Sequence, residues 1–187
     1  MAQVGTGRNK IDAARPTYIK TGNMIVAFIG FEPYFSACAA TEDSPGNFHS
    51  FGEESIPRII KPLIAEARKH ADLIVFTPHW GFNWTENASS ERIRLAHAII
   101  DLGVDAILGH SAHQLHGIEI YKGRLIVYDM GSFFFDTVDK NRMRKSAAFV
   151  MTFSAGGFTK LNIYPLLLHP NCTVSAPEAQ SVEIKNL

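Results

Sequence analysis

The order of helical and extended patterns in the middle of the chain restricts the fold more than any other feature. Apolar residues recur at helical spacing in residues 55–70 and again in residues 89–103. Each helical pattern is followed by a short apolar run typical of a buried strand, at residues 73–76 and 105–108. Because strands joined through a helix lie parallel with a right-handed crossover, this region predicts a parallel α/β layer.

The helices also carry end signals. Ser55 is expected to cap the first of these two helices, with Pro57 in its first turn. Ser89 is expected to begin the second, and Gly103 to end it. A third, shorter helix is predicted near the start of the chain, ending before Pro16 because proline cannot continue it.

Antiparallel hairpins are predicted on both sides of the parallel region, so the fold class is α/β with an antiparallel part. Between them, residues 32–52 form a long predicted loop rich in Pro, Gly and Ser, of a kind that often lines or covers a site. The predicted hairpin strands are residues 17–20, 24–31, 117–121, 124–128, 147–153 and 158–168.

Length and charge set the remaining limits. The 187 residues are expected to form one domain over residues 1–168, followed by a polar tail over residues 169–187. Eighteen basic and eighteen acidic side chains balance, so no whole-chain field favours nucleic acid as a partner. We expect no transmembrane segment and no signal peptide, since no run reaches ~18 apolar residues and the first residues lack an apolar core.

Three histidines follow predicted strands. His79 comes shortly after one apolar run, and His110 and His113 come shortly after the next. Ligands of open α/β sheets gather outside the carboxyl ends of the strands, so the three imidazoles are expected to meet at one point. Neutral imidazole is the commonest protein ligand of catalytic transition metals. The alternative is three unrelated polar loop residues.

Three segments in a fixed order resemble one bacterial family. They are HWGFNW at residues 79–84, LAHAIIDLGVDAILGHSAH at 95–113 and GIEIYKGRLIVY at 117–128. They resemble CapA, or PGA_cap, the capsule-synthesis family tied to poly-γ-glutamate production, and the resemblance covers about residues 5–168. The family is similar in fold to the calcineurin-like metallophosphoesterases, so the resemblance implies an α/β/β/α sandwich.

The resemblance is to the second half of the family's domain, so we expect a partial sandwich. The family's early Gly-Asp motif, its downstream acidic motif and its Asn-Asn-His motif have no counterpart in this chain. In the dinuclear phosphoesterases that half supplies the bridging Asp. The late motif YDMGSFFFD, residues 128–136, also differs, because Ser132 stands where the family usually has Asn or Asp.

The resemblance implies that the three histidines are catalytic ligands of a divalent metal, either manganese, zinc or iron. Glu119 and Asp136 would orient an imidazole from the second coordination shell. Two alternatives remain for them, an ion pair between Glu119 and Arg124 and a solvated strand end at Asp136.

Other histidines and the tryptophans are assigned to structure. His116 is expected on the surface, and His97 in the core on the apolar face of its helix, beside Ile93. Trp80 and Trp84 flank the loop after His79, where they either stack on substrate or close the loop against the core. We expect both in the core.

The implied function is capsule or poly-γ-glutamate synthesis or export, with metal-assisted hydrolysis or transfer at a phosphate, acyl or amide centre. Family members are often membrane-associated or extracytoplasmic. Two alternatives are a non-catalytic component of a polymer-synthesising membrane complex and a truncated, inactive fragment. We also expect self-association. The strands at residues 24–31 and 73–76 are predicted to be buried on both faces, and the half of the domain that would help to cover them has no counterpart in this chain, so apolar surface would be left exposed.

Overall fold

A computed structural model of the protein describes residues 2–50, 52–133, 145–154, 156–169, 172–175 and 182–185. The chain divides into two units. Unit 1 comprises residues 1–80 and 89–108, and unit 2 comprises residues 81–88 and 109–187.

Unit 1 contains the parallel strands. Its elements in chain order are β1 (Thr6–Gly7), α1 (Lys10–Ala14), β2 (Thr17–Thr21), β3 (Met24–Phe31), β4 (Gly46–Asn47), α2 (Ile56–Ala67), β5 (Leu73–Trp80), α3 (Ser90–Asp101) and β6 (Ala106–Leu108). Strand β3 pairs with β2 antiparallel and with β5 parallel, and β5 pairs with β6 parallel. The predicted hairpin and the predicted parallel order are both confirmed.

Two aspartates at the starts of parallel strands fix the register. Asp72 precedes β5, and its Oδ2 accepts the backbone N–H of Ile25 in β3 at 2.7 Å. Asp105 precedes β6 and repeats the arrangement, since its buried Oδ2 accepts the N–H of Ile74 in β5 at 2.8 Å. Arg68 also donates to Asp105 Oδ2, at 2.5 Å. Each carboxylate accepts a hydrogen bond from a backbone N–H near the start of the neighbouring strand, and this contact fixes where the two strands begin relative to each other.

The helices differ from the prediction at one end. Pro57 does lie in the first turn of α2, but the hydroxyl of Ser55 makes no cap; it donates to the carbonyl of Gly52 at 2.8 Å. Ser89 caps α3 as predicted, accepting the N–H of Arg92 at 3.2 Å. Gly103 ends that helical segment with φ of 105°, a conformation that favours glycine.

The buried face of α3 is rotated from the predicted one. Arg92 is buried, Ile93 is exposed and His97 is only half-buried. Arg92 turns inward because its guanidinium finds partners there: Nη2 lies 2.9 Å from Glu53 Oε1, and the group lies over the Trp80 ring. An ion pair with a distant residue has therefore replaced an apolar contact that helical spacing alone would favour.

The predicted loop at residues 32–52 folds back on β3. It contains a 3-10 turn at Ser36–Cys38 and the short strand β4, which pairs with β1. The N–H of Glu32 donates to the carbonyl of Phe48 at 3.0 Å. The ring of Phe48 packs edge-on against Phe31 at 5.3 Å between centroids, so the loop is tied to the end of that strand.

Unit 2 is antiparallel. Its strands are β7 (His110–Ser111), β8 (Ile118–Tyr121), β9 (Arg124–Val127), β10 (Lys145–Ser154), β11 (Gly157–His169), β12 (Cys172–Ser175) and β13 (Val182–Lys185). Two hairpins, β8–β9 and β10–β11, match the prediction. Strand β11 also pairs with β12 and β13, so the expected polar tail contributes two strands to this sheet. Within the described residues, no helix is long and apolar enough to cross a membrane.

Candidate metal centre

His79 lies inside a strand rather than in a turn after it. Strand β5 was predicted to end at Phe76 but continues to Trp80, because its backbone stays paired with β3 up to Pro78. The His79 side chain is about one-third exposed. The Phe35 ring lies beside it, with 6.1 Å between the ring centroids.

A buried carboxylate accompanies His79 in unit 1. Oε2 of Glu32 lies 3.6 Å from His79 Nε2, and the Glu32 side chain is 9% exposed. The other oxygen, Oε1, accepts the backbone N–H groups of Tyr34 at 2.5 Å and Phe35 at 3.1 Å. Sequence reasoning missed Glu32, although the parallel pairing of the two strands places it one residue past their last paired position.

Unit 2 holds the other two histidines on one short segment. His110 begins β7, and His113 follows three residues later with a φ of 59°. His113 Nδ1 is hydrogen-bonded to Ser132 Oγ at 2.9 Å. The exposed Trp84 ring stacks on the His113 ring with centroids 5.1 Å apart and planes 22° apart. Trp84 was expected in the core, and that prediction is wrong; Trp80 is fully buried, as expected.

The backbone around His113 is strained and tightly held. Trp84 (φ 67°) and Ser111 (φ 126°) share the left-handed region with His113. The N–H of Trp84 donates to the carbonyl of Ala112 at 3.0 Å, and the hydroxyl of Ser111 donates to the carbonyl of Gly81 at 2.9 Å. Such conformations persist only where surrounding contacts enforce them, and they concentrate at functional sites.

Asp129 is the residue that holds this segment in place. It is fully buried, and its Oδ2 accepts the N–H of Ala112 at 2.7 Å while its Oδ1 accepts the N–H of Gly131 at 2.9 Å. Its carbonyl accepts the N–H of His116 at 3.1 Å. Sequence reasoning quoted Asp129 within the late motif and gave it no role. Its position directly after an apolar strand was the available signal.

His116 is buried, so the surface prediction for it is wrong. Its Nε2 lies 2.7 Å from the carbonyl oxygen of Thr85, which accepts a hydrogen bond from the ring N–H. That bond joins residues 31 positions apart, which explains why sequence spacing did not reveal it. His116 is thus a structural histidine that ties the 81–88 segment to the rest of unit 2.

Of the two expected orienting carboxylates, Glu119 has a visible partner. The Tyr128 hydroxyl donates to Glu119 Oε2 at 2.6 Å. Burial, together with this hydrogen bond and the carboxylate charge, raises the pKa of Tyr128 well above its ordinary value. Asp136, the other expected carboxylate, lies outside the described residues.

Each unit, taken by itself, contains side chains of the types that ligate divalent ions. Among the residues that the structure describes, no group of three or more His, Cys, Asp or Glu side chains is arranged to hold a metal. What the structure does provide is an imidazole beside a buried carboxylate in unit 1 and an oriented imidazole in unit 2. Nitrogen and oxygen donors of this kind suit zinc, manganese and iron.

A family model named bacterial capsule synthesis protein PGA_cap matches residues 1–137. The chain belongs to this family. A PGA biosynthesis protein CapA from Bacillus subtilis (strain 168) is 33% identical over 168 residues, which are 89% of this chain and 43% of the relative. A capsule biosynthesis protein CapA from Bacillus anthracis is 32% identical over 164 residues, 87% of this chain and 39% of that one. This PGA_cap chain therefore spans about two fifths of each relative.

Another relative and a solved structure complete the comparison. A Mycobacterium tuberculosis protein assigned as a polyglutamine synthesis accessory protein is 29% identical over 143 residues, 73% of this chain and 37% of the relative. The solved structure is a Staphylococcus aureus protein assigned as a 5′-nucleotidase, in complex with alpha-ketoglutarate. The match covers 94% of this chain and 32% of the Staphylococcus aureus chain, with a TM-score of 0.51 and 16% sequence identity. That likeness shows the fold alone, and it confirms a metallophosphoesterase-like α/β class for the PGA_cap chain.

Proposed function

We propose that this PGA_cap chain acts in the synthesis or export of poly-γ-glutamate or a related capsular polymer, and that His79, His110 and His113 ligate a divalent metal ion. The observation that carries the proposal is the family match, which includes all three histidines within residues 1–137. The named relatives from the two Bacillus species support the capsule assignment.

The surroundings of His113 support the metal assignment. A metal-ligating histidine usually donates its other ring N–H to an oxygen, which fixes the tautomer and the ring orientation. Ser132 Oγ is placed to accept from Nδ1 of His113, so we assign Nε2 as the metal-binding nitrogen. The stacked Trp84 ring restrains the imidazole from one face, and Asp129 restrains the backbone that carries it.

When bound, a metal would act as a Lewis acid and lower the pKa of a coordinated water. The protein's own contribution is to orient the imidazoles and to hold their backbone against relaxation. The reaction class that this supports is hydrolysis or transfer at a phosphate, acyl or amide centre of the polymer or its precursor.

A chimera tests the capsule assignment. The whole chain would replace the aligned segment of the Bacillus subtilis relative in its own host, and secreted poly-γ-glutamate would be measured. We expect polymer from the chimera and from a control with His70→Ala, since His70 is exposed and its contacts are with Glu66 and the Tyr18 ring. We expect little or no polymer from His113→Ala. A well-expressed chimera that makes no polymer would reject the assignment.

The same experiment separates a catalytic role from an assembly role. The accessory assignment of the Mycobacterium tuberculosis relative favours assembly as the second candidate. If His113→Ala supports full polymer production, the chain acts without its histidine site and the assembly role is the better account. Metal analysis of the purified chain and of the three single His→Ala variants supplies the independent check on the metal.

A further inference from the structure

Glu32 and His79 occupy matching positions on neighbouring parallel strands. The last paired residues of β3 and β5 are Phe31 and Pro78, so the next residue on each strand is Glu32 and His79. Matching positions on adjacent parallel strands place side chains on the same side of the sheet, with their backbones about 4.8 Å apart across the two strands. Both residues stand at the carboxyl ends of these strands, where open α/β sheets bind their ligands.

The two carboxylate oxygens of Glu32 have different partners. Oε1 is engaged by the backbone N–H groups of Tyr34 and Phe35, which fix the orientation of the side chain. Oε2 is directed toward His79 Nε2. A carboxylate that is nine-tenths buried favours a nearby positive charge, because water can no longer solvate it fully.

The 3.6 Å separation of Glu32 Oε2 and His79 Nε2 is informative. It is longer than an ordinary N–H···O hydrogen bond, which spans about 2.7–3.2 Å between heavy atoms. It is shorter than the sum of one metal–nitrogen and one metal–oxygen bond, about 4 Å for zinc. One ion can therefore reach both atoms without any movement of the backbone.

We propose that Glu32 is a carboxylate ligand of the divalent ion that His79 binds. This inference rests on the proposed function, since it adds an oxygen donor to the expected histidines. An anionic oxygen beside imidazole shifts the preference of the site toward zinc, manganese and iron and away from soft cations. The backbone N–H of Glu32 donates to the carbonyl of Phe48, so the residue that carries this carboxylate is also tied to the loop that follows β3.

Glu32→Gln tests the proposal with little change of shape. The amide oxygen still accepts the N–H groups of Tyr34 and Phe35, while the other position becomes an NH₂ that cannot ligate a cation. Titration of the purified chain with Mn²⁺ or Zn²⁺ should show a dissociation constant at least about tenfold higher for Glu32→Gln than for wild type. Glu91→Gln is the matched control, because Glu91 is exposed on α3, and it should bind as wild type does.

Infrared difference spectra distinguish a ligand from an orienting partner. Adding metal to the wild-type chain should shift one carboxylate stretching band, and both Glu32→Gln and His79→Ala should lose that shift. If wild type and Glu32→Gln bind equally while His79→Ala does not bind, Glu32 is not a ligand and the histidine site stands. Weaker binding by Glu32→Gln without any carboxylate shift in wild type would also overturn the ligand role. If wild type binds no metal, the proposed site and this extension both fail.

Discussion

Replacing Arg92 by Met should destabilise unit 1 through the loss of a buried ion pair. The Arg92 side chain is 5% exposed, and its Nη2 donates to Glu53 Oε1 at 2.9 Å and to the Tyr34 hydroxyl at 3.4 Å. Its guanidinium carbon lies 5.9 Å from the centroid of Trp80. Methionine keeps most of the buried apolar stem and removes the charge, so the change isolates the polar contribution.

The expected loss follows from these contacts. A hydrogen bond to a charged group contributes about 1.5–3 kcal/mol, and the contact with the indole about 0.5–1 kcal/mol. Two effects reduce the sum. Glu53 is 22% exposed and keeps the hydrogen bond from the Tyr34 hydroxyl, and Arg92 Nε, which has no hydrogen-bond partner among the described residues, is removed as well. We expect a net loss of about 2–3 kcal/mol, or a fall in Tm of roughly 5–10 °C.

Thermal and urea unfolding of Arg92→Met, Glu53→Gln and the double variant would measure the pair. We expect a coupling free energy of about 1–2 kcal/mol between Arg92 and Glu53. Arg94→Met is the control on the same helix, since Arg94 is exposed and its loss should change stability by less than about 0.5 kcal/mol. A coupling below about 0.3 kcal/mol would show that the ion pair between Arg92 and Glu53 does not stabilise the fold.

Three further changes test other parts of the structure. Tyr128 has a pKa raised in the folded chain, so its contribution to stability is complete below pH ~10 and is lost as pH rises above it. Between pH 10 and 11, wild type should lose about 1 kcal/mol more than Tyr128→Phe in urea unfolding, and parallel curves would contradict this. Ser132→Ala should convert His113 from one tautomer to a mixture in ¹⁵N NMR spectra, whereas an unchanged spectrum would show that the Ser132 contact does not orient the ring. Gly103→Ala should lower stability by about 1 kcal/mol through its φ of 105° alone, since the added methyl would meet only Ile64, at 3.8 Å; an unchanged Tm would refute that cost.

Most of the backbone could be predicted from the sequence, because its strands and helices follow apolar periodicity. The parallel order followed from the alternation of helix and strand, and the β8–β9 turn followed from Lys122-Gly123, where both residues take positive φ. Those signals are local, and local signals suffice for element type and pairing.

The errors arose where a distant partner decides the position of a side chain. Arg92 is buried where Ile93 was expected, because Glu53, 39 residues earlier in the chain, lies within hydrogen-bonding distance of the Arg92 guanidinium. His116 is buried because a carbonyl 31 residues earlier accepts its ring N–H. Glu32 is a different case, since its place beside His79 follows from the observed register of β3 and β5, which was not predicted from the sequence. The metal-ligand assignment of the three histidines stays a prediction.

The positive φ angles around His113 carry a consequence for protein engineering. A non-glycine residue in the left-handed region stores about 1–2 kcal/mol, and Trp84 and His113 both do so with large side chains. Random libraries screened only for heat resistance should therefore enrich glycine or asparagine at these two positions. The enriched variants would have lost the stacked indole and imidazole. Selection for thermal stability should therefore favour small residues at these two positions, whereas selection for activity should favour the native tryptophan and histidine.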